Sequence, residues 1–212
     1  MNKNEKFVIT INREVGSGGH TVAQKLADRL GVVLYDKVII ETLIEKYGLS
    51  VEEIEHLKGR KKYWWSDFKF AMGIGSGFDK LSGGPSDGDV RNIDISDDMF
   101  LTEMKMLREI ADNESCVITG RCAFFILHNH PNHLSVLIQA SRDARVERVI
   151  RKQGLTQGEA LKVIEKVDEM RENYVKRYTD TSRYDTRNYD IVLNSDGKTE
   201  DELVDIIMQY IN

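Results

Sequence analysis

Six residues near the N-terminus, Gly16-Ser17-Gly18-Gly19-His20-Thr21, have the composition of an anion cradle. Glycines let the backbone approach a ligand closely and take positive φ. Where such a turn opens a helix, unpaired N–H groups point outward and the helix dipole favours negative charge. Phosphate is the ligand this arrangement suits. An ordinary strand-to-helix turn with a glycine cap has the same composition, so position in the chain decides. The cluster follows Phe7-Val8-Ile9-Thr10-Ile11-Asn12, a β-branched run typical of a buried strand. It precedes Val22, Ala23, Leu26, Ala27 and Leu30, which recur at helical spacing.

The usual phosphate loop reads G-x-x-x-x-G-K-[ST]. Aligned on Gly18, this chain departs at two places: Arg13 stands at the first glycine and Gly19 at the lysine. A cation is needed there, because charge on the equatorial oxygens of a transferred phosphoryl group must be stabilised. Either Arg13 or an arginine from a lid has to supply it. Ser17 and Thr21 are candidate hydroxyls for a phosphate or for Mg²⁺. His20 reads as a backbone donor rather than a base, since phosphoryl transfer needs positioning and charge more than proton abstraction.

The elements that must hold this turn follow from hydrophobic patterning. The chain has 212 residues, 41% of them hydrophobic and 31% charged, with a formal net charge of −5. That composition supports one globular domain over residues 1–212 with a buried core. Mild acidity argues against nonspecific nucleic-acid binding. No run approaches about 18 apolar residues, so no membrane association is expected. Residues 1–6 lack the apolar stretch of a signal peptide. Cys116 and Cys122 have neither metal-site spacing nor a disulfide framework, so a reducing cytoplasm is the expected compartment.

Strands are predicted over residues 7–12, 32–35, 116–120, 134–140 and 189–194. Between them, helical patterning covers 22–30, a segment capped by Asp36, a short helix behind the capping box Ser50-Val51-Glu52-Glu53, then 96–113, 123–127, a helix from Ser141, a long helix behind Thr156-Gln157-Gly158-Glu159, and 200–211. Strands alternating with helices imply an α/β chain, a parallel sheet covered on both faces. Residues 59–95 are glycine-rich, carry Trp64-Trp65, and read as an insertion that is functional or flexible.

Other residues carry two readings each. Asp36 lies beyond a strand C-terminus, where α/β proteins bind ligands, and also suits a plain helix N-cap. Arg121 follows the third strand and suits either a bidentate phosphate contact or a salt bridge. Arg145, Arg148 and Arg151 share a polar face opposite Val146, Val149 and Ile150. Asp168 and Arg171 are spaced to pair along one helix. His128, His130 and His133 have no carboxylate or cysteine partner at metal spacing and read as a surface loop. Trp64 and Trp65 suit stacking on a base, packing on the core, or packing on a second copy in a homodimer.

Several of these segments, in order, resemble the cytidylate kinase-like proteins, a branch of the P-loop nucleoside monophosphate kinases. The resemblance runs through Ile9-Thr10-Ile11-Asn12-Arg13-Glu14-Val15-Gly16-Ser17-Gly18-Gly19-His20-Thr21, Leu34-Tyr35-Asp36, Val117-Ile118-Thr119-Gly120-Arg121, Ile138-Gln139-Ala140 with Arg145-Val146-Glu147-Arg148, Asp168 to Tyr174, and Asn188 to Asn194. It covers most of the chain outside 59–95. It implies a three-layer P-loop fold: a five-stranded parallel sheet, helices on both faces and a helical lid over residues 142–187. It implies transfer of the ATP γ-phosphoryl group to a CMP-like nucleotide, with Mg²⁺ between the phosphates. The implied roles are lid arginines for Arg145, Arg148 and Arg171, with Arg13 beside them. Asp36, Arg121 and Asp168 would meet the acceptor. The family's Gly-Arg-Asp is here Gly120-Arg121-Cys122, which loses a carboxylate. A nucleotide-binding protein without catalysis, or a small-molecule kinase with another acceptor, are the competing readings.

Overall fold

The computed structural model describes residues 1–35 and 97–211. Asp36 and its helix, the box at Ser50, the stretch 59–95 and the tryptophan pair lie outside the described residues. Five strands form one sheet: β1 Val8–Arg13, β2 Val33–Tyr35, β3 Cys116–Thr119, β4 His133–Gln139 and β5 Ile191–Asn194, in the spatial order β2-β3-β1-β4-β5. Every pairing is parallel. The described helices are α1 Gly19–Leu30, α2 Asp97–Asn113, α3 Ala123–Ile126, α4 Arg142–Gln153, α5 Gln157–Thr179 and α6 Glu200–Tyr210.

Alternation along the strands divides the core in two. Ile9, Ile11, Val117, Val136 and Ile138 face α1 and α6, where Val22, Leu26, Leu203 and Ile207 meet them. Val8, Cys116 and Ile118 face the other way, against Leu107 of α2, Phe124 of α3 and Val175 of α5. Each fully buried side chain of this kind contributes about 1.5–3 kcal/mol. Helix starts are fixed by side chains. Ser141 accepts from Ala144 N at α4, and both halves of the capping box at Thr156 and Glu159 form at α5. A further capping box, Thr199 with Glu202, opens α6.

Central β1 is flanked by β3 and β4, so the chain passes from one side of it to the other between these two strands. The crevice beyond their carboxyl ends is where such sheets bind ligands. Arg13, Gly120 and Ala140 end or follow these three strands on that edge. The opposite edge holds His133, whose Nε2 lies 2.7 Å from Thr10 Oγ1. Burial, reinforced by His130 and His128, outweighs nearby Asp190 and pushes its imidazole down to about 4.

Above about pH 6.5 this imidazole is neutral whether folded or not. Between there and about pH 4 only the unfolded chain takes the proton, so stability falls with falling pH by up to about 1.4 kcal/mol per unit. Denaturant titrations across pH 4–7 should show that slope in the wild type and a flatter one in His133→Gln. Equal slopes would exclude the assignment.

Candidate functional site

The glycine turn joins β1 to α1 as expected. Gly16 and Gly18 both have φ +81°, the left-handed region that glycine takes without strain. Gly18 is the N-cap of α1 and supplies no side chain to the helix start, and the first turn carries no acidic residue. The helix start therefore holds no acid of its own where an anion would sit.

Arg13 occupies a slot between two glycines. A Cβ on Gly19 would stand 2.5 Å from Arg13 Cβ and 3.2 Å from its Cγ. A Cβ on Gly120 would stand 2.6 Å from Arg13 Nη1. The side chain thus runs from beneath the helix start to the end of β3, and it is buried. Glycine and cation have exchanged positions relative to the usual loop. His20, exposed, is a third departure, standing where that loop carries its metal-binding Ser or Thr.

The hydroxyls expected for magnesium are otherwise engaged. Ser17 is buried and donates to the Glu14 carbonyl at 3.0 Å. Thr21 Oγ1 accepts from Lys152 Nζ at 3.4 Å, an ammonium that opposes a second cation. Among the described residues no group of three His, Cys, Asp or Glu side chains is placed to hold a metal. Among the described residues the loop offers a resident magnesium ion no protein cage.

Lid arginines grip the loop backbone. Arg145 donates from Nε to the Val15 carbonyl at 2.7 Å and from Nη1 to Glu14 Oε1 at 3.2 Å, and it pairs through Nη2 with Asp168. Asp168 Oδ1 accepts from the Val15 amide at 3.1 Å. Arg148 Nη1 donates to the Gly16 carbonyl at 2.8 Å, with its Nε 3.8 Å from Glu200 Oε1. Arg171 Nη1 donates to the Arg13 carbonyl at 3.3 Å. A Cβ on Gly16 would lie 2.6 Å from the Arg145 carbonyl, so α4 sits directly on the loop. The arginine face of α4 is divided: Arg145 is buried, while Arg142 pairs at the surface with Glu165 and Arg151 is exposed.

Arg121 and Cys122 both take the left-handed conformation after β3, with φ of +59° and +53°. The Arg121 guanidinium forms a buried ion pair with Glu103 of α2, whose Oε2 accepts from Tyr174 hydroxyl at 2.5 Å. Phe100 stacks on Tyr178 beside them, with ring centroids 4.1 Å apart. Burial pushes the Cys122 thiol up, so it stays protonated.

Sequence patterning did not reveal Glu14, Glu103 or Arg183. Glu103 left a signal: a carboxylate between Phe100 and Leu107 on the inward stripe of α2. Glu14, which also accepts from the Ala140 amide at 3.1 Å, and Arg183, fully buried, left none.

The model for the cytidylate kinase-like family matches residues 8–197. A cytidylate kinase of Methanopyrus kandleri is 25% identical over 217 residues, covering 97% of this chain and 93% of that one. The crystal structure of an uncharacterized protein from Eubacterium ventriosum matches with a TM-score of 0.70 at 27% identity, over 97% of this chain and 98% of the other. Shikimate kinase from Bacteroides thetaiotaomicron shares the fold, with a TM-score of 0.51 at 17% identity over 97% and 98% of the two chains. The architecture is the α/β P-loop kinase fold.

The slot around Arg13 makes a steric claim that stability can test. Gly19→Ala should cost about 1–3 kcal/mol by overpacking. In an Arg13→Gly background most of that penalty should vanish in denaturant unfolding, because the two positions share one space. An unchanged penalty would show that the side chains do not compete.

Proposed function

The chain belongs to the cytidylate kinase-like family, and from that premise we propose an ATP-dependent phosphotransferase acting on a CMP-like nucleoside monophosphate. MgATP enters as the substrate complex, with its polyphosphate on the loop of residues 16–21 at the start of α1 and its metal held mainly by phosphate and water. The γ-phosphoryl group moves in line: the bond to the β-phosphate oxygen breaks, the bond to an acceptor oxygen forms, and ADP leaves. One observation carries the reading: the Arg13 side chain fills the slot between Gly19 and Gly120, at the edge of the loop. Its fixed positive charge takes the part of the absent lysine, stabilising the transferring group. Arg145, Arg148, Arg171 and Asp168 act here by holding the loop and its lid in register. Arg121 faces the acceptor, the role the resemblance also gives Asp36, which lies outside the described residues. Use of ATP and two free thiols, Cys116 and Cys122, suit a reducing cytoplasm.

A second reading, a kinase with a small hydroxyl acceptor, draws on the ion pair between Arg121 and Glu103. A guanidinium already paired with a carboxylate has less charge to offer an acceptor phosphate. An ADP-release assay with MgATP and CMP, dCMP, UMP, AMP or small hydroxyl compounds separates the readings. Fastest turnover with CMP or dCMP is expected. Turnover on a hydroxyl compound alone would establish the second reading, and nucleotide binding without turnover on any acceptor would remove both. Arg13→Ala, which keeps the backbone contacts at that residue, should lower kcat by about 10²-fold or more; full turnover would remove the assigned cation.

A further inference from the structure

The position of Arg13 is set by a closed ring of hydrogen bonds. Its own amide donates to Asn12 Oδ1 at 3.0 Å. Asn12 Nδ2 donates to the Tyr189 hydroxyl at 2.5 Å, and that hydroxyl donates to the Arg183 carbonyl at 2.7 Å. Arg183 Nη2 then returns to the Arg13 carbonyl. Asn12 and Arg13 end β1, while Arg183 and Tyr189 lie between α5 and β5. The ring therefore ties the end of the central strand to the chain leaving the lid.

Arg183 also reaches the lid helix itself. Its Nη1 lies 3.4 Å from Asp168 Oδ1, its backbone amide donates to Glu172 Oε2 at 3.1 Å, and its guanidinium lies 5.1 Å from the Tyr184 ring centre. The side chain is fully buried, yet its Nε has no acceptor among the described residues. A buried charge with one donor left over is a poor way to gain stability. Its bonds converge instead on the backbone of Arg13 and on the carboxylate that braces the Val15 amide.

We infer that Arg183 is a positioning residue for phosphoryl transfer: it fixes the backbone of Arg13, and through it the direction of the Arg13 guanidinium, while tying that backbone to Asp168 of the lid. This inference rests on Arg13 being the transferring cation. Arg183 itself does not touch the reacting phosphate. Small displacements of a charged group at a reacting centre are costly, on the order of 10²-fold per ångström.

The test is a double-mutant cycle in the full chain. Arg183→Lys keeps the charge but cannot span both acceptors. With MgATP and the best acceptor, it should lower kcat by about tenfold and leave the KM for ATP within about threefold. Tyr189→Phe, which opens the ring without removing a charge, should lower kcat by about threefold in the same way. In an Arg13→Ala background neither change should lower kcat further. A wild type without turnover, or full activity in Arg13→Ala, removes the underlying reading and this inference with it. If that reading stands, a folded Arg183→Lys with wild-type kcat overturns the inference alone. So does a full additional loss in the Arg13→Ala background. If Arg183→Lys does not fold, the Tyr189→Phe cycle decides by the same criteria.

Discussion

A side chain at position 13 and a side chain at position 19 cannot share the space beneath the start of α1. This exclusion governs the site. With glycine at 13, the helix start could carry a lysine reaching over the phosphates. With Arg13 in place, position 19 has to be glycine, because the two Cβ atoms would stand 2.5 Å apart. In the proposed mechanism the cation then comes from the end of the central strand instead of the first turn of a helix. That strand is paired on both sides, Ile11 with Thr119 and Arg13 with Ile138. A planar guanidinium held on such a strand has less freedom than an ammonium on a four-carbon stem, and it is always charged.

Much buried charge surrounds the loop: Arg13, Arg145, Asp168 and Arg183 are all buried. Carbonyls of Arg13, Val15 and Gly16 each accept from a guanidinium. A trans peptide is planar, so a carbonyl held on the lid side turns the following amide to the other side. The grip of Arg145 on Val15 thereby directs the Gly16 amide away from the lid. Asp168 completes the arrangement by taking the Val15 amide, which would otherwise be an orphan. Buried ion pairs of this kind return little net stability, because desolvation offsets their attraction. What they supply is register between loop, lid and strand end.

Patterning in the sequence located this fold well, and located chemistry only where chemistry followed a local rule. Among the described elements, strand and helix ends fell within about three residues of those observed, because β-branched runs, capping boxes and glycine stops are set by neighbours in the chain. The glycine turn was visible for the same reason. Arg145 carried two readings, one member of a polar helix face or a lid arginine, since helical spacing says which residues share a face and nothing of what covers it. Arg183 was invisible because its partners lie 15 and 170 positions away, at Asp168 and Arg13. Glu103 was half visible: a carboxylate on an inward stripe needs a partner, and Arg121 supplies it across the fold.

That pair sits where the chain leaves β3. Glu103 takes one Nη1 of a group with five N–H donors in a rigid fork. A carboxylate on one edge of the fork fixes the plane of the guanidinium without filling its geometry. Tyr174 hydroxyl holds the second carboxylate oxygen, so Glu103 is fixed in turn by α5, the helix that also carries Asp168 and Arg171. One helix thus braces the glycine loop toward its middle and, through Glu103, Arg121 further along. A displacement of α5 would move both ends of the crevice together. The carboxylate also lowers the net charge at Arg121. In the proposed function an anionic acceptor would then be drawn less by bulk attraction than by fit to an arginine whose orientation has already been set.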